Sequence, residues 1–181
     1  MDNGASSYRR YLDGEEGAFE QIVKDYMDAL IGFIDSYVKD TAAAEDIAID
    51  TFSDLIVHKH RYNFRVPLKT YLFMIGRSRA LNYIKHRGRF QMVELASAEG
   101  ELPTVSSPEI KYFDDERKQA VWSALNTLNA PMREVVQLVY FEQLSCADAA
   151  KIMRKTVKQV YNLLYRAKES LRTILAEELE L

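Results

Sequence analysis

The sequence predicts an all-α protein with two small helical domains joined by a flexible acidic linker, the second domain containing a helix-turn-helix. Only four prolines and seven glycines occur in 181 residues, which favours helices over turn-rich sheets. Apolar residues recur at three- and four-residue steps in both halves of the chain. Residues 90–116 carry seven acidic side chains against one lysine and show no sustained period. We therefore predict a first domain over 1–89, the linker over 90–116 and a second domain over 117–181.

Three helices are predicted in the first domain. The first, from Phe19 to Tyr37, carries its apolar residues on one side, as a helix with one buried face requires. The alanine-rich segment TAAAEDIAIDTFSDLIVHK forms the second. Pro67 stands at a first-turn position before the third, LKTYLFMIGRSRALNYIKHR. We expect Phe73, Leu81 and Tyr83 of this third helix to lie in the core.

Charge is segregated in the third helix and in the loop before it. No acidic residue occurs between Asp54 and Glu94, whereas nine basic and six aromatic residues do. Such a segment suits a nucleic-acid backbone and unstacked bases. A solvated helix face with ordinary core aromatics is the alternative that this segment alone leaves open.

The second domain is predicted to begin with two helices separated by a break. Val121, Trp122, Leu125 and Leu128 mark a short helix, which the segment Asn129-Ala-Pro131 ends. The segment MREVVQLVYFEQ forms the next helix.

Two capping boxes lie close together near the end of the chain. Ser145 and Asp148 form the first, and Thr156 and Gln159 form the second. A short helix, a tight turn and a longer amphipathic helix describe a helix-turn-helix. Seven basic residues against one glutamate between positions 151 and 172 favour DNA binding over a generic helical hairpin. The last helix carries Val160, Leu163, Leu164, Ala167 and Leu171 on one side and Lys158, Tyr161, Asn162, Tyr165, Arg166 and Lys168 on the other.

The second helix of the first domain carries an acidic ridge. Asp46, Asp50 and Asp54 are four residues apart and so share one helix face. Like charges at this spacing destabilise a helix slightly, and a basic partner surface would turn that cost into attraction. Ile47 and Thr51 are predicted to pack beside the charges. Without further information, a solvated face is the preferred interpretation.

Enzyme motifs are absent from the sequence. It contains no P-loop, no dinucleotide-binding glycine pattern and no zinc-protease motif. His58 and His60 are two residues apart, so they point away from each other on a helix, and Cys146 is the only cysteine. We predict a protein that is not an enzyme, with no catalytic residues, no cofactor and no metal. No apolar run long enough to insert in a membrane and no N-terminal signal stretch occur, which predicts a cytoplasmic location.

Three segments in order resemble those of a bacterial extracytoplasmic-function (ECF) type RNA polymerase sigma factor. The segment AEDIAIDTFSDL looks like the core-polymerase-binding helix of that family, and LKTYLFMIGRSRALNYIKHRGR is similar to its promoter-melting helix. The segments LNAPMREVVQLVYFEQLSCADAAKIM and VYNLLYRAKESL look like its C-terminal helix-turn-helix. The resemblance covers nearly the whole chain.

The resemblance implies a factor that binds RNA polymerase core, through the β′ clamp and β subunits, and directs it to promoter DNA. Family members are often held by an anti-sigma factor, but this sequence does not name one. The implied core-polymerase-binding residues are Asp46, Ile47, Asp50, Thr51 and Asp54. The residues implied to bind and melt the minus-ten element are Arg61, Arg65, Lys69, Tyr71, Arg77, Arg79, Asn82 and Lys85. Those implied to recognise the minus-thirty-five element are Arg154, Lys155, Lys158, Gln159, Tyr161, Asn162 and Arg166.

Some positions depart from the family pattern. Tyr71 replaces the usual tryptophan and retains a stacking surface. Arg154 and Lys155 occupy turn positions that usually hold glycine and a small apolar residue, and Tyr161 replaces a common lysine. These departures leave the register of the recognition helix open.

Two other functions remain alternatives. A free-standing helix-turn-helix regulator, with an N-terminal dimerisation or sensing domain, would bind duplex DNA without polymerase. An all-α interaction module would leave both basic faces unexplained. We also expect the acidic linker to weaken DNA binding by the free protein.

Overall fold

The computed structural model describes residues 4–97 and 124–178, and every regular element in these ranges is helical. The chain divides into two compact units, Met1–Pro108 and Glu109–Leu181. Most of the predicted linker, residues 98–116, lies outside the described residues. Residues 90–97 are a correction to that prediction, because they continue the preceding helix. None of the helices in the described ranges is apolar over a stretch long enough to cross a membrane.

The first unit contains four helices: α1 (Ala5–Leu12), α2 (Ala18–Val38), α3 (Thr41–Val57) and α4 (Leu68–Ser97). Helix α2 packs against the other three, and α3 also packs against α4. The rings of Phe33 on α2 and Phe73 on α4 stack with centroids 4.8 Å apart. This arrangement confirms the three predicted helices and the core position of Phe73.

Helix α1 was not predicted. Gly4 precedes it with φ +77°, and a side chain at that position would collide with the Tyr26 hydroxyl and with Leu68. Tyr8 is the fully buried residue of this helix, and its ring meets that of Tyr62 edge-on at 5.2 Å. A helix of eight residues with one buried side chain carries no periodic signal, so pattern analysis overlooks it.

The start of α3 is fixed by its cap. The Asp40 carboxylate accepts a hydrogen bond from the Ala43 backbone N–H at 3.2 Å, as expected of an N-cap aspartate. Lys39, with φ +55°, ends α2 in the left-handed conformation. A connection this short turns the chain back on itself and sets α3 against α2.

Helix α4 approaches α2 closely at Gly76. A Cβ atom there would lie 2.9 Å from Leu30 Cδ1 and 3.3 Å from Ile34 Cδ1, so a larger residue would push the helices apart. Leu81, one and a half turns further on, was expected in the core. The structure corrects this expectation, because Leu81 is 40% exposed, and Tyr83 is only half-buried.

The described part of the second unit contains a helical turn at residues 124–127, then α5 (Ala130–Val136), α6 (Cys146–Met153) and α7 (Val157–Glu178). The Asn129 side chain caps α5 by accepting from the Met132 backbone N–H at 3.1 Å. The predicted helix over MREVVQLVYFEQ changes character midway, because Gln137–Phe141 is a wider π-helical turn. This turn buries Leu138 and leaves Tyr140 and Phe141 about half exposed.

Candidate nucleic-acid and protein interfaces

The outer face of α3 combines acidic and apolar side chains. Asp46 and Asp50 are exposed, the Asp50 side chain to 68%, whereas that of Asp54 is exposed to only 17%. Ile49, Ile56 and Val57 are also exposed on this helix, although sequence analysis did not single them out. The helix therefore presents a surface that can attract a basic partner and also bury apolar area against it.

Ile47 and Thr51 require a correction. Both are buried, and the Thr51 hydroxyl donates to the Ile47 carbonyl oxygen at 2.8 Å. These side chains pack into the first unit, so in this fold they position α3. The sequence did carry the signal, because Thr51 shares the helix face of Ala44, Ala48 and Leu55, which are buried as well.

Asp54 is the centre of an ion-pair cluster. Its carboxylate lies 3.7 Å from Arg79 Nη2, 3.6 Å from Arg61 Nη1 and 3.2 Å from His58 Nδ1. Arg79 Nη1 also lies 3.8 Å from an Asp50 oxygen. Two cations that we predicted to bind DNA thus touch the acids that we predicted to bind polymerase. Asp54 is held in ion pairs inside the first unit, and the Asp50 side chain is more exposed to a partner than that of Asp54.

Hydrogen bonds from the hydroxyls of two buried tyrosines fix the backbone of the loop between α3 and α4. The Tyr8 hydroxyl donates to the Lys59 carbonyl oxygen at 2.7 Å, with the Leu55 carbonyl oxygen at 3.3 Å. The Tyr62 hydroxyl donates to the Val66 carbonyl oxygen at 2.7 Å. Burial raises the pKa of Tyr62 to about 12 and raises that of Tyr8 as well, so both phenols stay protonated as donors. Tyr62 is therefore a structural aromatic and offers no free ring face to a base.

The rest of the loop is open to solvent. Arg61 and Arg65 are exposed, and Phe64 is half-buried with φ +61°. The Arg9 guanidinium lies over the Phe64 ring, 5.0 Å from its centroid. The loop therefore presents arginines on a framework that Tyr8 and Tyr62 fix.

Along α4 the predicted DNA-binding residues differ in exposure. Asn82 and Lys85 are exposed, whereas Lys69, Tyr71, Arg77 and Arg79 are half-buried. The Tyr71 ring lies 5.0 Å from that of Tyr62, and burial is the main cause that raises the pKa of Tyr71. The structure places all four half-buried residues on the first three and a half turns, in the part of α4 that follows the loop.

In the second unit, α6 and α7 form the predicted helix-turn-helix. Both capping residues work: Ser145 Oγ accepts from the Asp148 N–H at 3.1 Å, and Thr156 Oγ1 accepts from the Gln159 N–H at 3.2 Å. Gln159 Oε1 accepts in return from the Thr156 N–H at 2.8 Å, which completes the second box. In the first box the Asp148 carboxylate instead accepts from the Ser145 hydroxyl. The side-chain carbonyl oxygen of Gln159 thus takes part in the cap, which holds this side chain at the start of α7.

The two sides of α7 are as predicted. Val160, Leu164 and Ala167 are buried, and Leu163 and Leu171 are half-buried. Arg154 ends α6 with φ +53°, and both Arg154 and Lys155 are exposed in the turn. Sequence analysis missed Val157, which is exposed at the start of α7. The predicted outward residues Lys158, Tyr161, Asn162, Tyr165, Arg166 and Lys168 are all exposed.

Comparison with known proteins separates the same two parts of the chain. Residues 22–90 match the family "Sigma-70 region 2", and residues 118–171 match "Sigma-70, region 4". The RNA polymerase sigma-H factor of Pseudomonas aeruginosa is 28% identical over 172 residues, with 90% of this chain and 88% of that protein covered. The ECF RNA polymerase sigma factor SigM of Bacillus subtilis is 26% identical over 156 residues, with 86% and 93% covered. The chain belongs to the sigma-70 family and is of the ECF type.

Solved structures of other sigma factors share this fold. The sigma factor RpoE of Bartonella quintana, crystallised with the anti-sigma factor NepR, is 25% identical to this sigma factor with a TM-score of 0.67, over 88% of this chain and 97% of that one. CnrH, solved in complex with the cytosolic domain of CnrY, gives a TM-score of 0.62 at 21% identity, over 97% and 96% of the two chains. The all-helical fold predicted from the sequence is confirmed.

Proposed function

We propose that this sigma factor binds RNA polymerase core and directs the polymerase to promoters. The sigma factor itself recognises and melts the promoter DNA. The observation that carries the proposal is the order of two sigma-70 regions on two compact units, each with exposed cations. A free-standing regulator would need the second unit but not the acidic face of α3. We propose a function without enzymatic activity, cofactor or metal, exerted in the cytoplasm.

Core binding is assigned to the exposed face of α3. Asp46 and Asp50 supply charge, while Ile49 and Ile56 supply apolar area on the same helix. We propose the β′ clamp as the main partner of this face and β as a further contact of the factor. An apolar centre with charges around it is the usual composition of a protein interface.

Promoter melting is assigned to the loop before α4 and to the start of that helix. Melting needs cations for the phosphates and ring faces for the unstacked bases, each stacked base contributing roughly 1–3 kcal/mol. Arg61 and Arg65 are exposed for the first task, and Tyr71 keeps part of its ring accessible for the second. The loop needs little ordering on binding, because Tyr62 and Tyr8 already fix its backbone.

Recognition of the minus-thirty-five element is assigned to α7. Lys158, Asn162 and Arg166 are exposed on one face, where they can donate hydrogen bonds to base edges or phosphates. Arg154 and Lys155 in the turn before it strengthen binding to phosphates without adding specificity.

An anti-sigma factor is proposed as a third partner. Structural relatives of this chain were solved as complexes with NepR and with the cytosolic domain of CnrY, which are partners of those proteins. A regulator that covered α3 would block core binding directly.

Run-off transcription with bacterial core polymerase on a library of random promoter-like duplexes tests the function. We expect defined start sites that appear only when this protein is added and that reveal both promoter elements together. Core enzyme with this protein giving no new start, while the protein alone shifts particular duplexes, would instead establish the regulator. The melting residues on α4 would then lose their assignment.

A further inference from the structure

The exposed side of α7 carries two parallel stripes of different chemistry. Val157, Tyr161 and Tyr165 are four residues apart and are 42%, 58% and 67% exposed. Each is followed by a polar or cationic residue, so a second stripe runs beside the first. The second stripe consists of Lys158, Asn162 and Arg166, all exposed.

Single exposed apolar residues are ordinary, but three on one helix face form a continuous patch that favours a partner. The charge around the patch indicates what that partner is. Five cations are exposed nearby on α6, the turn and α7. One of them, Lys151, pairs with Asp148, and Glu169 pairs with Arg172, so the surface keeps a net positive charge. A surface of this sign complements a phosphate backbone better than it complements an apolar protein groove. These cations are Lys151, Arg154, Lys155, Lys158 and Arg166.

The position of the patch limits which DNA groups it can meet. In a helix-turn-helix the N-terminal residues of the second helix reach the base edges in the major groove. Val157 is the first residue of α7, and Tyr161 follows one turn later, about 6 Å along the axis, which corresponds to roughly two base-pair steps. The C5-methyl group of thymine is the apolar group that a base presents in that groove.

Gln159 supports the same conclusion. Its side-chain carbonyl oxygen accepts from the Thr156 N–H, so Gln159 would have to leave this cap to make the bidentate contact with adenine that a free glutamine makes. Hydrogen-bond readout at the start of α7 is thereby reduced, while the apolar surface of Val157 stays open.

We propose that Val157 and Tyr161 determine promoter specificity by packing against thymine methyl groups in the minus-thirty-five element. This proposal rests on the proposed function and adds to it the chemical group that is read. The ring of Tyr161 acts as an apolar surface, and its hydroxyl is not needed for the contact.

The test replaces each thymine of the selected minus-thirty-five element, one at a time, by deoxyuridine, which removes only the methyl group. Affinity of the full-length protein, with core polymerase, is measured for each duplex at one salt concentration. We expect a loss of about fourfold per methyl group at one or two positions. The loss disappears in Val157→Ala or Tyr161→Ala and persists in the control variants Val157→Ile and Tyr161→Phe.

The possible outcomes distinguish a failure of this proposal from a failure of the proposed promoter-recognition function. If no duplex is selected at all, the assignment of promoter recognition fails. If an element is selected but deoxyuridine changes nothing, or changes affinity equally in wild type and in the alanine variants, the methyl-reading proposal is overturned while the function stands. If the alanine variants weaken polymerase binding without DNA, the patch faces a protein and the proposal is also overturned. Melting followed by circular dichroism checks that each variant folds.

Discussion

Arg154 holds a backbone conformation that disfavours any side chain with a Cβ. It ends α6 with φ +53° and ψ +47°, where the left-handed conformation costs a non-glycine residue about 1–2 kcal/mol. Glycine would remove that cost. Its greater backbone freedom in the unfolded chain would, however, lower the stability of the folded state by about 0.5–1 kcal/mol. We expect Arg154→Gly to stabilise the second unit by about 0.5–1 kcal/mol in urea unfolding. Unchanged or lower stability would show that the arginine side chain contributes folding energy of its own.

The same substitution should weaken DNA binding, because it removes an exposed cation from the turn. Arg154→Asn is the matched comparison, since asparagine tolerates the left-handed conformation and also lacks the charge. Stability and affinity should therefore move in opposite directions at this position.

Tyr62 makes the first unit sensitive to alkaline pH. Its pKa is raised by burial from 10.0 to about 12, so above pH 10 the unfolded chain loses this proton while the folded chain keeps it. The contribution to stability is complete below pH 10 and is lost as pH rises from 10 to 12, at up to about 1.4 kcal/mol per pH unit. Urea unfolding of the wild type between pH 9 and pH 11.5 should show this decline.

Tyr62→Phe is the control for the titration. It removes the phenol and its hydrogen bond to Val66, so at neutral pH it should be less stable by about 1 kcal/mol. Its stability should nevertheless fall less steeply above pH 10. Equal slopes for the two proteins would assign the alkaline loss to Tyr8, whose pKa is raised by burial too, or to other groups.

At the scale of whole elements, α3 is expected to dock through Asp50. Asp50→Lys reverses the sign of an exposed charge and should weaken core-polymerase binding by about three- to tenfold, more at low salt than at high salt. The change costs little stability, because the contact with Arg79 is a surface ion pair. Fluorescence titration of core enzyme with the labelled factor measures the effect.

The matched control for that variant is Asp28→Lys, which makes the same charge change at an exposed position of α2. If both variants weaken core binding equally, general charge and not the α3 face is responsible. Normal assembly of Asp50→Lys would refute the assignment of the ridge.

Helix α4 is expected to act in promoter opening through Tyr71. Tyr71→Ala should slow open-complex formation about tenfold, from the loss of stacking, and should affect closed-complex binding less. Tyr71→Phe keeps the ring, including its packing against Tyr62, and should open promoters nearly as the wild type does. Permanganate reactivity of unpaired thymines follows opening, and normal opening by the alanine variant would exclude Tyr71 from the melting surface.

The helices differ in how accurately their bounds and their type can be predicted from the sequence. The apolar face of α2 is long and regular, so its observed ends lie within one residue of the predicted segment. The π-helical turn at Gln137–Phe141 leaves no periodic trace, because one wide turn is too short to alter a pattern.

Side-chain roles were less predictable than helices. The outward face of α7 followed from its period, whereas Thr51, predicted to contact core polymerase, faces the core. The pairing of Asp54 with Arg61 and Arg79 joins residues on different elements, and no local pattern specifies that contact.

At the scale of the whole molecule, the acidic segment 90–116 is expected to affect DNA binding through its negative charge. The seven acids of residues 90–116 lie largely outside the described residues, and the expectation that they weaken DNA binding stays a prediction. Replacing all seven by Gln or Asn should raise the affinity of the free protein for promoter DNA at low salt. Unchanged affinity in a gel-shift assay without core enzyme would refute this idea.

Helix α1 is an integral part of the first unit. The match to the sigma-70 region starts at residue 22, yet Tyr8 is fully buried and its hydroxyl binds a carbonyl oxygen 51 positions downstream. A fragment cut where similarity starts would lack part of its own interior and would expose Tyr62 to water. The backbone of the loop assigned to promoter melting is therefore fixed partly by residues that lie before the family match. An N-terminal truncation would loosen this loop and weaken promoter melting, although it would remove none of the residues that we assign to DNA binding.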